Sequence, residues 1–343
     1  GTTLGIPDIN AAPASFSSTL LTGATDDQTL TLSNTADGTL DFTIPTPALL
    51  ATQVIYPYVP YDKDAGDTRV GPPVVSGAGG PDGFGYRWID SDEAGGPAFS
   101  WVDITAVGTP LALTGDDALS PAIPVGFSFP FYGGTSATVR VCTNGFMTLS
   151  GTTSPFDNQQ LPNAGAPGNL IAPMWDDMDF GATPRVYYFN DGTRFIVSWV
   201  GVPHFTSGGP YTFQAILYPS GEVRYQYLAL GSPTNSATVG IQNATGTTGL
   251  NVAFNTAYLH DNLAVRIFAI PQWLRVSPNS GRILAGQSQQ LNVHFDASGL
   301  LGGIYNGNIH VMSNDPDENP TTLTAQVHVT GAPDIAVNPA SLA

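Results

Sequence analysis

The chain has 343 residues, and its 27 acidic against 10 basic side chains give a formal net charge of −17. This length allows two or three domains, each with its own core. An acidic surface repels nucleic acid and anionic membranes, because phosphate binding requires clustered Lys and Arg. Disorder is also excluded, since 42% of the residues are apolar and 17 Phe, 13 Tyr and 5 Trp supply packed cores. We therefore expect a globular protein that binds neither nucleic acid nor membrane.

Short strands are predicted near both ends of the chain. The 39 Gly and 29 Pro separate runs of Val, Ile, Thr and aromatic residues, which is typical of many strands joined by tight turns. Apolar and polar residues alternate in 29–32, 40–44, 291–295, 309–311 and 323–329. The turn Asn34–Gly38 is predicted to join the first two into a strand pair. The strands near either end of the chain are too few to form a sandwich alone. We therefore expect an all-β fold in which the strands from the two ends combine.

Two separated sets of motifs explain this arrangement. Near the start stand Pro7-Asp8-Ile9 and the string SNTADGTLDF at 33–42, and near the end stand WLRVSPNSG at 273–281 and SNDPD at 313–317. Joined in that order, they resemble one bacterial immunoglobulin-like repeat of the abnormal-spindle-like and choice-of-anchor type. The resemblance implies an immunoglobulin-like β-sandwich host domain, residues 1–48 plus 269–331, that is discontinuous in sequence. A surface loop of such a domain tolerates a long insertion at little entropic cost.

The interrupting segment carries its own motifs. They are FPFYG at 129–133, TNGF at 143–146 and APMWDD at 172–177. The segment resembles the module that accompanies secreted bacterial subtilisin-like peptidases and cell-surface repeat proteins, and its middle third is similar to nidogen-type extracellular domains. The resemblance implies a larger inserted nidogen-like β-sandwich at 80–268, reached through a Pro-rich connecting arm at 49–79. It also implies an extracellular, secreted or cell-surface location. No signal peptide precedes Gly1, as expected of a mature or excised fragment.

The end of the chain repeats its beginning. The segment 333–342 copies 7–16 at an offset of 326, with six of ten positions identical. The residues predicted to mediate assembly are Pro7, Asp8, Ile9, Pro333, Asp334, Ile335 and Val337. We interpret 332–343 as the start of the next repeat of a tandem array, or as a donor strand that completes the sheet of another copy.

Two acidic loops are the strongest candidate for a metal site. Their residues are Asp90, Asp92, Glu93, Asp176, Asp177 and Asp179. Calcium takes six to eight oxygen ligands, so paired acidic loops with glycines predict a structural calcium ion. The spacing of an EF-hand is missing, however, and Asp side chains also cap turns without any metal. Structural calcium and no cofactor both remain open.

Signals for catalysis are weak. Three histidines fall at outward-facing positions of predicted strands: His294, His310 and His328. They are interpreted either as metal ligands or as ordinary solvent-facing residues. No serine lies in a nucleophile-elbow string, and Cys142 is predicted to be a buried small hydrophobe. We therefore expect no enzymatic activity.

The resulting expectation for function is structural. The chain is predicted to be one repeat or subunit of an extracellular filament, stalk or surface layer that assembles head to tail with other copies. The alternative is an adhesin or a carbohydrate-binding accessory module for surface glycans. Tyr56, Tyr58 and Tyr61 are then a sugar-stacking platform, unless they pin the arm to a sheet. A concave pocket of aromatic and acidic residues in the insert would distinguish this alternative from the structural role. A retained fragment of a secreted peptidase is a third interpretation.

Overall fold

The computed structural model describes residues 5–46, 54–63, 66–298, 300 and 302–331. Every regular element in these ranges is a β-strand, which confirms the predicted all-β fold. Within the same ranges, no helix has the length and apolar character needed to cross a membrane. The chain divides into two compact units. The host unit comprises Gly1–Pro47 and Ile270–Ala343, and the insert unit comprises Ala48–Ala269.

The host unit is built from two sheets. Its strands are β1 (Ile9–Ala12), β2 (Ser15–Leu20), β3 (Thr25–Asn34), β4 (Leu40–Thr43), β19 (Leu274–Ser277), β20 (Ser280–Ile283), β21 (Ser288–Asp296), β22 (Gly303–Ser313) and β23 (Thr321–Val329). One sheet has the order β1-β3-β21-β19 and the other has the order β2-β23-β22-β4-β20. Strands β2 and β23 pair in parallel, with Ser15 opposite Thr324 and Leu20 opposite Val329. Both sheets combine strands from the two distant parts of the sequence.

Alternation in these strands produces one core between the sheets. Leu291, Val293 and Phe295 of β21 are buried, and so are Leu30 and Leu32 of β3. Side chains of successive strand residues point to opposite faces, so each strand contributes every second residue to this core. Burying these side chains out of water supplies the main stabilisation of the unit.

The predicted pairing of the first two strands is wrong. Strands β3 and β4 lie in different sheets, so the turn between them crosses from one sheet to the other. The buried side chain of Asn34 holds this crossing, because its Nδ2 donates hydrogen bonds to the carbonyls of Gly38 and Ile283. A side chain that bonds backbone groups in this way competes with the hairpin ladder.

The predicted outward position of His310 is also wrong. His310 is only 3% exposed, and its Nδ1 lies 3.2 Å from Thr322 Oγ1. Three consecutive residues of β22, Ile309 to Val311, are buried, so strict alternation does not hold there. His328 is exposed and His294 half-buried, at the outward positions that alternation predicts.

The head copy of the repeat forms regular structure. Pro7 and Ile9 are buried, Asp8 is exposed, and β1 pairs with β3 as an edge strand. The backbone N–H of Ile9 donates to Asp315 Oδ2 at 2.8 Å. The tail copy at 332–343, with Pro333, Asp334, Ile335 and Val337, lies outside the described residues.

The insert unit contains two larger sheets. Its strands are β5 (Ala78–Gly79), β6 (Tyr86–Asp90), β7 (Thr109–Leu111), β8 (Ile123–Phe131), β9 (Gly134–Val141), β10 (Met147–Thr148), β11 (Leu170–Trp175), β12 (Val186–Asn190), β13 (Phe195–Val202), β14 (Gly209–Leu217), β15 (Val223–Ser232), β16 (Thr238–Gln242), β17 (Gly249–Phe254) and β18 (Leu263–Ala269). The eight-stranded sheet has the order β5-β6-β18-β15-β14-β13-β12-β7. The six-stranded sheet has the order β17-β16-β11-β10-β9-β8.

An aromatic-rich core joins these two sheets. Trp199, Phe213, Tyr225 and Tyr227 come from the larger sheet, and they pack in one cluster with apolar residues of the smaller sheet. The Tyr225 hydroxyl donates to Gly240 O at 2.9 Å and the Tyr227 hydroxyl to Pro173 O at 2.6 Å, so these buried polar groups are satisfied. Cys142 is fully buried as predicted, and burial raises the pKa of its thiol to about 12.

Candidate ligand pocket

A pocket of about 480 Å³ opens in the insert unit. Five segments line it: the first comprises residues within 61–63 and 66–70, and the others lie at 176–177, 204–206, 233–236 and 255–257. The first segment belongs to the Pro-rich arm and the others follow the ends of strands. The lining combines aromatic rings, carboxylates, side-chain amides and hydroxyls, which is the mixture found in sites for polar organic ligands.

Two carboxylates enter the pocket directly after β11. Asp176 and Asp177 are buried, at 2% and 5% exposure, and they follow the fully buried Trp175. The indole Nε1 of Trp175 donates to Pro155 O at 2.9 Å. This bond and the packing of the indole against Phe146 fix the end of the strand. The rigid strand end therefore sets the position of both acids.

Asp176 forms a polar group with Ser236 and His204. Ser236 Oγ donates to Asp176 Oδ2 at 2.6 Å, and His204 Nε2 lies 3.6 Å from the same oxygen. His204 Nδ1 lies 2.7 Å from Phe205 O. Burial by itself lowers the pKa of His204, but the carboxylate of Asp176 raises it above its usual value. Ser236 and His204 therefore both lie against the same carboxylate oxygen of Asp176.

Lys63 lies at the centre of a second polar group, which we call the lysine cluster: Lys63, Asp116, Asp117 and Asp177. Lys63 Nζ is 2.9 Å from Asp116, 2.7 Å from Asp117 and 3.1 Å from Asp177. Burial lowers the pKa of Lys63, but the three hydrogen-bonded carboxylates raise it well above its usual value. Burial raises the pKa of Asp177 to about 6, even though Lys63 opposes that change.

Aromatic rings and an amide complete the surroundings of this cluster. Lys63 Nζ lies 4.4 Å from the centre of the Phe156 ring and 4.5 Å from that of Phe205. Asn144 Nδ2 donates to Asp117 Oδ1 at 2.7 Å. Asp117 has a φ of 49°, a left-handed conformation that costs energy for a residue with a Cβ. The lysine cluster is therefore kept in place by packing and hydrogen bonds with residues that do not belong to it.

The arm is fixed along the other wall of the pocket. Arg69 Nη2 lies 2.8 Å from Asp67 Oδ2, and its guanidinium lies 4.7 Å from the centre of the Tyr61 ring. Asn255 Nδ2 donates to Asp67 at 2.6 Å. The cations Lys63 and Arg69 are thus both paired with carboxylates of the protein.

The three arm tyrosines do not form a common platform. The Tyr58 hydroxyl donates to Asp157, and the Tyr56 N–H donates to Pro162 O at 3.1 Å. Hydrogen bonds to this carboxylate raise the pKa of Tyr58 to about 12. Of the three, only Tyr61 lines the pocket, where its ring meets the edge of Phe156. Tyr56 through its backbone and Tyr58 through its hydroxyl tie the arm to the loop at 155–163, whereas the second interpretation expected contact with a sheet.

The six predicted metal ligands are divided between separate loops. Asp176 and Asp177 line the pocket, while Asp179 Oδ1 accepts the N–H of Gly181 at 2.7 Å. In the other loop Asp90 Oδ1 accepts the N–H of Asp92, and Glu93 Oε1 accepts the N–H of Gly77. The bonds of Asp90 and Asp179 cap tight turns, as Asp side chains do without any metal, while the bond of Glu93 joins residues 16 positions apart.

The closest acidic groupings combine other residues. In the described part of the chain, acid oxygens approach within 4.8 Å of one another in the sets Asp116, Asp117, Asp177 and Asp8, Asp315, Glu318. Neither set joins the two predicted loops, and in the first the ammonium of Lys63 lies among the oxygens. Calcium binding stays a prediction.

Sequence reasoning missed Lys63, Arg69, Asp116 and Asp117. Lys63 is the only lysine of the chain, within Asp62-Lys63-Asp64. The presence of one lysine in a chain of this length could have marked position 63 as functionally important, although it does not reveal which carboxylates the lysine contacts.

Comparison with known proteins finds a family match over most of the insert unit. Residues 93–284 match the NIDO-related family. The match spans more than half of the chain, and the protein belongs to this family. No curated protein matches the chain.

A pH dependence is expected from His204. Its folded-state pKa lies above the ordinary value of 6.5, so its stabilising effect is present in full below pH 6.5 and is lost as the pH rises through the folded-state pKa. His204→Gln should therefore lower the melting temperature by about 2 °C in acid and by less in alkali. Calorimetry across this pH range measures the difference. His328→Gln, at an exposed strand position, is the matched control. If the difference in melting temperature between His204→Gln and the wild type were the same at every pH, the raised pKa of His204 would be contradicted.

Proposed function

We propose that the insert unit is a carbohydrate-binding module of an extracellular protein, and that the pocket described above is its binding site. One observation carries the proposal: aromatic rings, buried carboxylates and side-chain amides meet in a single concave site. This is the arrangement that distinguishes a binding module from a purely structural repeat.

The chemistry of the lining suits a neutral sugar. Ring hydroxyls donate to carboxylates such as Asp176 and accept from amides such as Asn235, while the C–H faces of a sugar pack on Tyr61 and Phe205. The volume of about 480 Å³ lies within the usual range for small-molecule sites. Lys63 and Arg69 are both engaged by carboxylates, so the site offers little attraction to an anionic ligand.

Membership of the NIDO-related family supports the extracellular location. Motif resemblance to nidogen-type and cell-surface proteins points the same way, and so does the acidic, lysine-poor composition. The role proposed is binding without catalysis, as in an adhesin or accessory module for surface glycans.

Ligand-observed NMR against neutral hexoses and N-acetylhexosamines tests the proposal. Asn235 is exposed at the pocket, so Asn235→Ala should leave the fold intact. Loss of one hydrogen bond to the sugar should weaken binding about tenfold. Asn10→Ala, at an exposed asparagine of the host unit, is the matched control and should bind like the wild type. Failure of every sugar to bind, or equal binding by Asn235→Ala and by the bulkier Asn235→Trp, would rule out this site.

We also propose a second function, assembly of host units end to end in a filament, stalk or surface layer. The supporting observation is that the head copy of the repeated sequence forms β1, an edge strand, and the start of β2. The copy at 333–342 has the sequence to form the same two strands, in a following immunoglobulin-like repeat or at the sheet edge of another copy. Electron microscopy and size-exclusion chromatography of the chain with and without 332–343 test this. Assembly that depends on the segment supports it, and a monomer indifferent to its removal counts against it.

A further inference from the structure

The head copy of the repeated sequence, 7–16, occupies a site in the host unit that the tail copy, 333–342, also fits. We propose that the tail copy of one chain replaces the head copy in the host unit of another chain, so that the two molecules exchange a strand. This strand exchange rests on the assembly function proposed above and specifies the surface that receives the tail copy. The partner is therefore a second molecule of this protein.

The buried positions of the head copy are the ones whose character the tail copy keeps. Pro7, Ile9 and Phe16 are the buried residues of 7–16. A proline, an isoleucine and a leucine stand at the matching positions of the tail copy. Asn10 and Ala12, where the two copies differ in polarity, are exposed. Side chains that face a close-packed core decide which strand a site accepts, whereas exposed positions tolerate change, so this pattern indicates that both copies suit the same site.

The site is formed by β3 and by the turn after β22. Strand β1 pairs antiparallel with β3, with Ile9 opposite Asn34. On its other side the N–H of Ile9 donates to the buried carboxylate of Asp315 at 2.8 Å. The Thr35 N–H donates to Asp8 O at 2.9 Å, and Thr35 Oγ1 donates to the Asp8 carboxylate. Only the last of these bonds requires a particular side chain in the head copy, and the tail copy has an aspartate at that position.

One difference between the copies favours the tail copy in this site. Ala11 is partly buried against the core of the host unit, opposite Leu32. Val337 stands at the matching position of the tail copy, and valine buries more apolar surface and has the higher strand propensity. The head copy has the opposite advantage, because its own chain holds it close to the site. Exchange between molecules should therefore increase with protein concentration.

The exchange can continue from one molecule to the next. Each chain has one site for a head copy and one tail copy, and the two surfaces are different. Reciprocal exchange closes a dimer, as in other swapped proteins, whereas one-way donation leaves an unused site at one end and an unused tail copy at the other. One-way donation thus extends a series of molecules without a new type of contact.

Disulfide trapping in the full chain tests the strand exchange. Asn10 lies opposite Ser33 in the β1–β3 pair, and Ala336 is the counterpart of Asn10 in the tail copy. The Cα atoms of such opposite residues lie about 5.5 Å apart or less, which is within the range of a disulfide. Chains with Ser33→Cys are mixed with chains with Ala336→Cys under mild oxidation, so a link between positions 33 and 336 can form only between molecules. The native Cys142 is buried and does not compete.

We expect a disulfide-linked dimer in which peptide mapping joins positions 33 and 336. Asn338→Cys is the matched control, because it lies two positions, about 7 Å, further along the strand and should give little dimer. Asn10→Cys and Ser33→Cys in one chain should lock the head copy into its own site and abolish assembly until a reductant is added. Ala11→Val gives the head copy the residue of the tail copy and should lower the yield of dimer about fivefold.

The outcomes separate the strand exchange from the assembly function on which it rests. If assembly requires 332–343 but the locked chain assembles like the wild type, the tail copy acts at another surface and the exchange is overturned. Equal dimer yields from Ala336→Cys and Asn338→Cys would also overturn it, because the cysteines would then meet without the register of β1. If removal of 332–343 changes nothing and no link between 33 and 336 forms, both proposals fail.

Discussion

Lys63→Met is expected to lower the free energy of unfolding by about 2 kcal/mol at neutral pH. Without the ammonium, Asp116, Asp117 and Asp177 face one another with no cation between them, and breaking a partly buried ion cluster from one side carries a cost of this size. Urea denaturation followed by circular dichroism measures the change.

Lys63→Arg is the informative partner of this variant. A guanidinium retains the positive charge between the three carboxylates, so Lys63→Arg should recover part of the stability that Lys63→Met loses. The deficit of Lys63→Met should also depend on pH. Burial raises the pKa of Asp177 to about 6 in the folded protein, so this carboxyl is neutral near pH 4 and gains its charge as the pH rises through 6, where the deficit should grow. Unchanged stability of Lys63→Met at pH 7 would contradict a stabilising role for the ion pairs of the lysine cluster.

Trp175→Ala is expected to cost about 3–5 kcal/mol and to abolish ligand binding at the pocket. The indole is fully buried between strand and loop, and its Nε1 bonds Pro155 O at 2.9 Å. Its removal leaves a large cavity directly before Asp176 and Asp177. Stability should be measured by denaturant unfolding and binding by the NMR titration described for Asn235.

Two variants separate packing from hydrogen bonding at this position. Trp175→Phe retains most of the buried ring but loses the bond to Pro155, so we expect a loss of about 1–2 kcal/mol with binding weakened rather than abolished. Trp101→Ala, at a half-buried tryptophan of the same unit, should be milder than Trp175→Ala. If Trp175→Ala bound sugar like the wild type, the strand end would not be what positions the acids.

The strands were predictable because their signal is local. Leu291, Val293 and Phe295 alternate with polar residues in the sequence, and in β21 they are buried as alternation requires. Alternation fails as a guide where a segment turns between sheets or is buried on both faces. Asn34 redirects the chain from one sheet to the other, and Ile309 to Val311 are buried in succession, which hides His310.

The pocket was only partly predictable for a different reason. Asp176 and Asp177 stand out as an acidic pair after an apolar run, and both reach the pocket. Lys63 meets Asp116, Asp117 and Asp177 across 53, 54 and 114 positions. Such meetings depend on the order of strands in the sheets, which one sequence does not encode in any short pattern.

The parallel pairing of β2 with β23 has a mechanical consequence. Ser15 lies opposite Thr324 and Leu20 opposite Val329, so tension applied before β2 and after β23 pulls the two strands along their length in opposite directions. The hydrogen bonds between them then bear the load together in shear and do not open one at a time. The insert unit branches from the chain between β4 and β19, inside the stretch that this pair closes. When the host unit is stretched, the insert unit should bear no force until the pair of β2 and β23 separates. Single-molecule pulling should therefore record one high-force event before the insert extends.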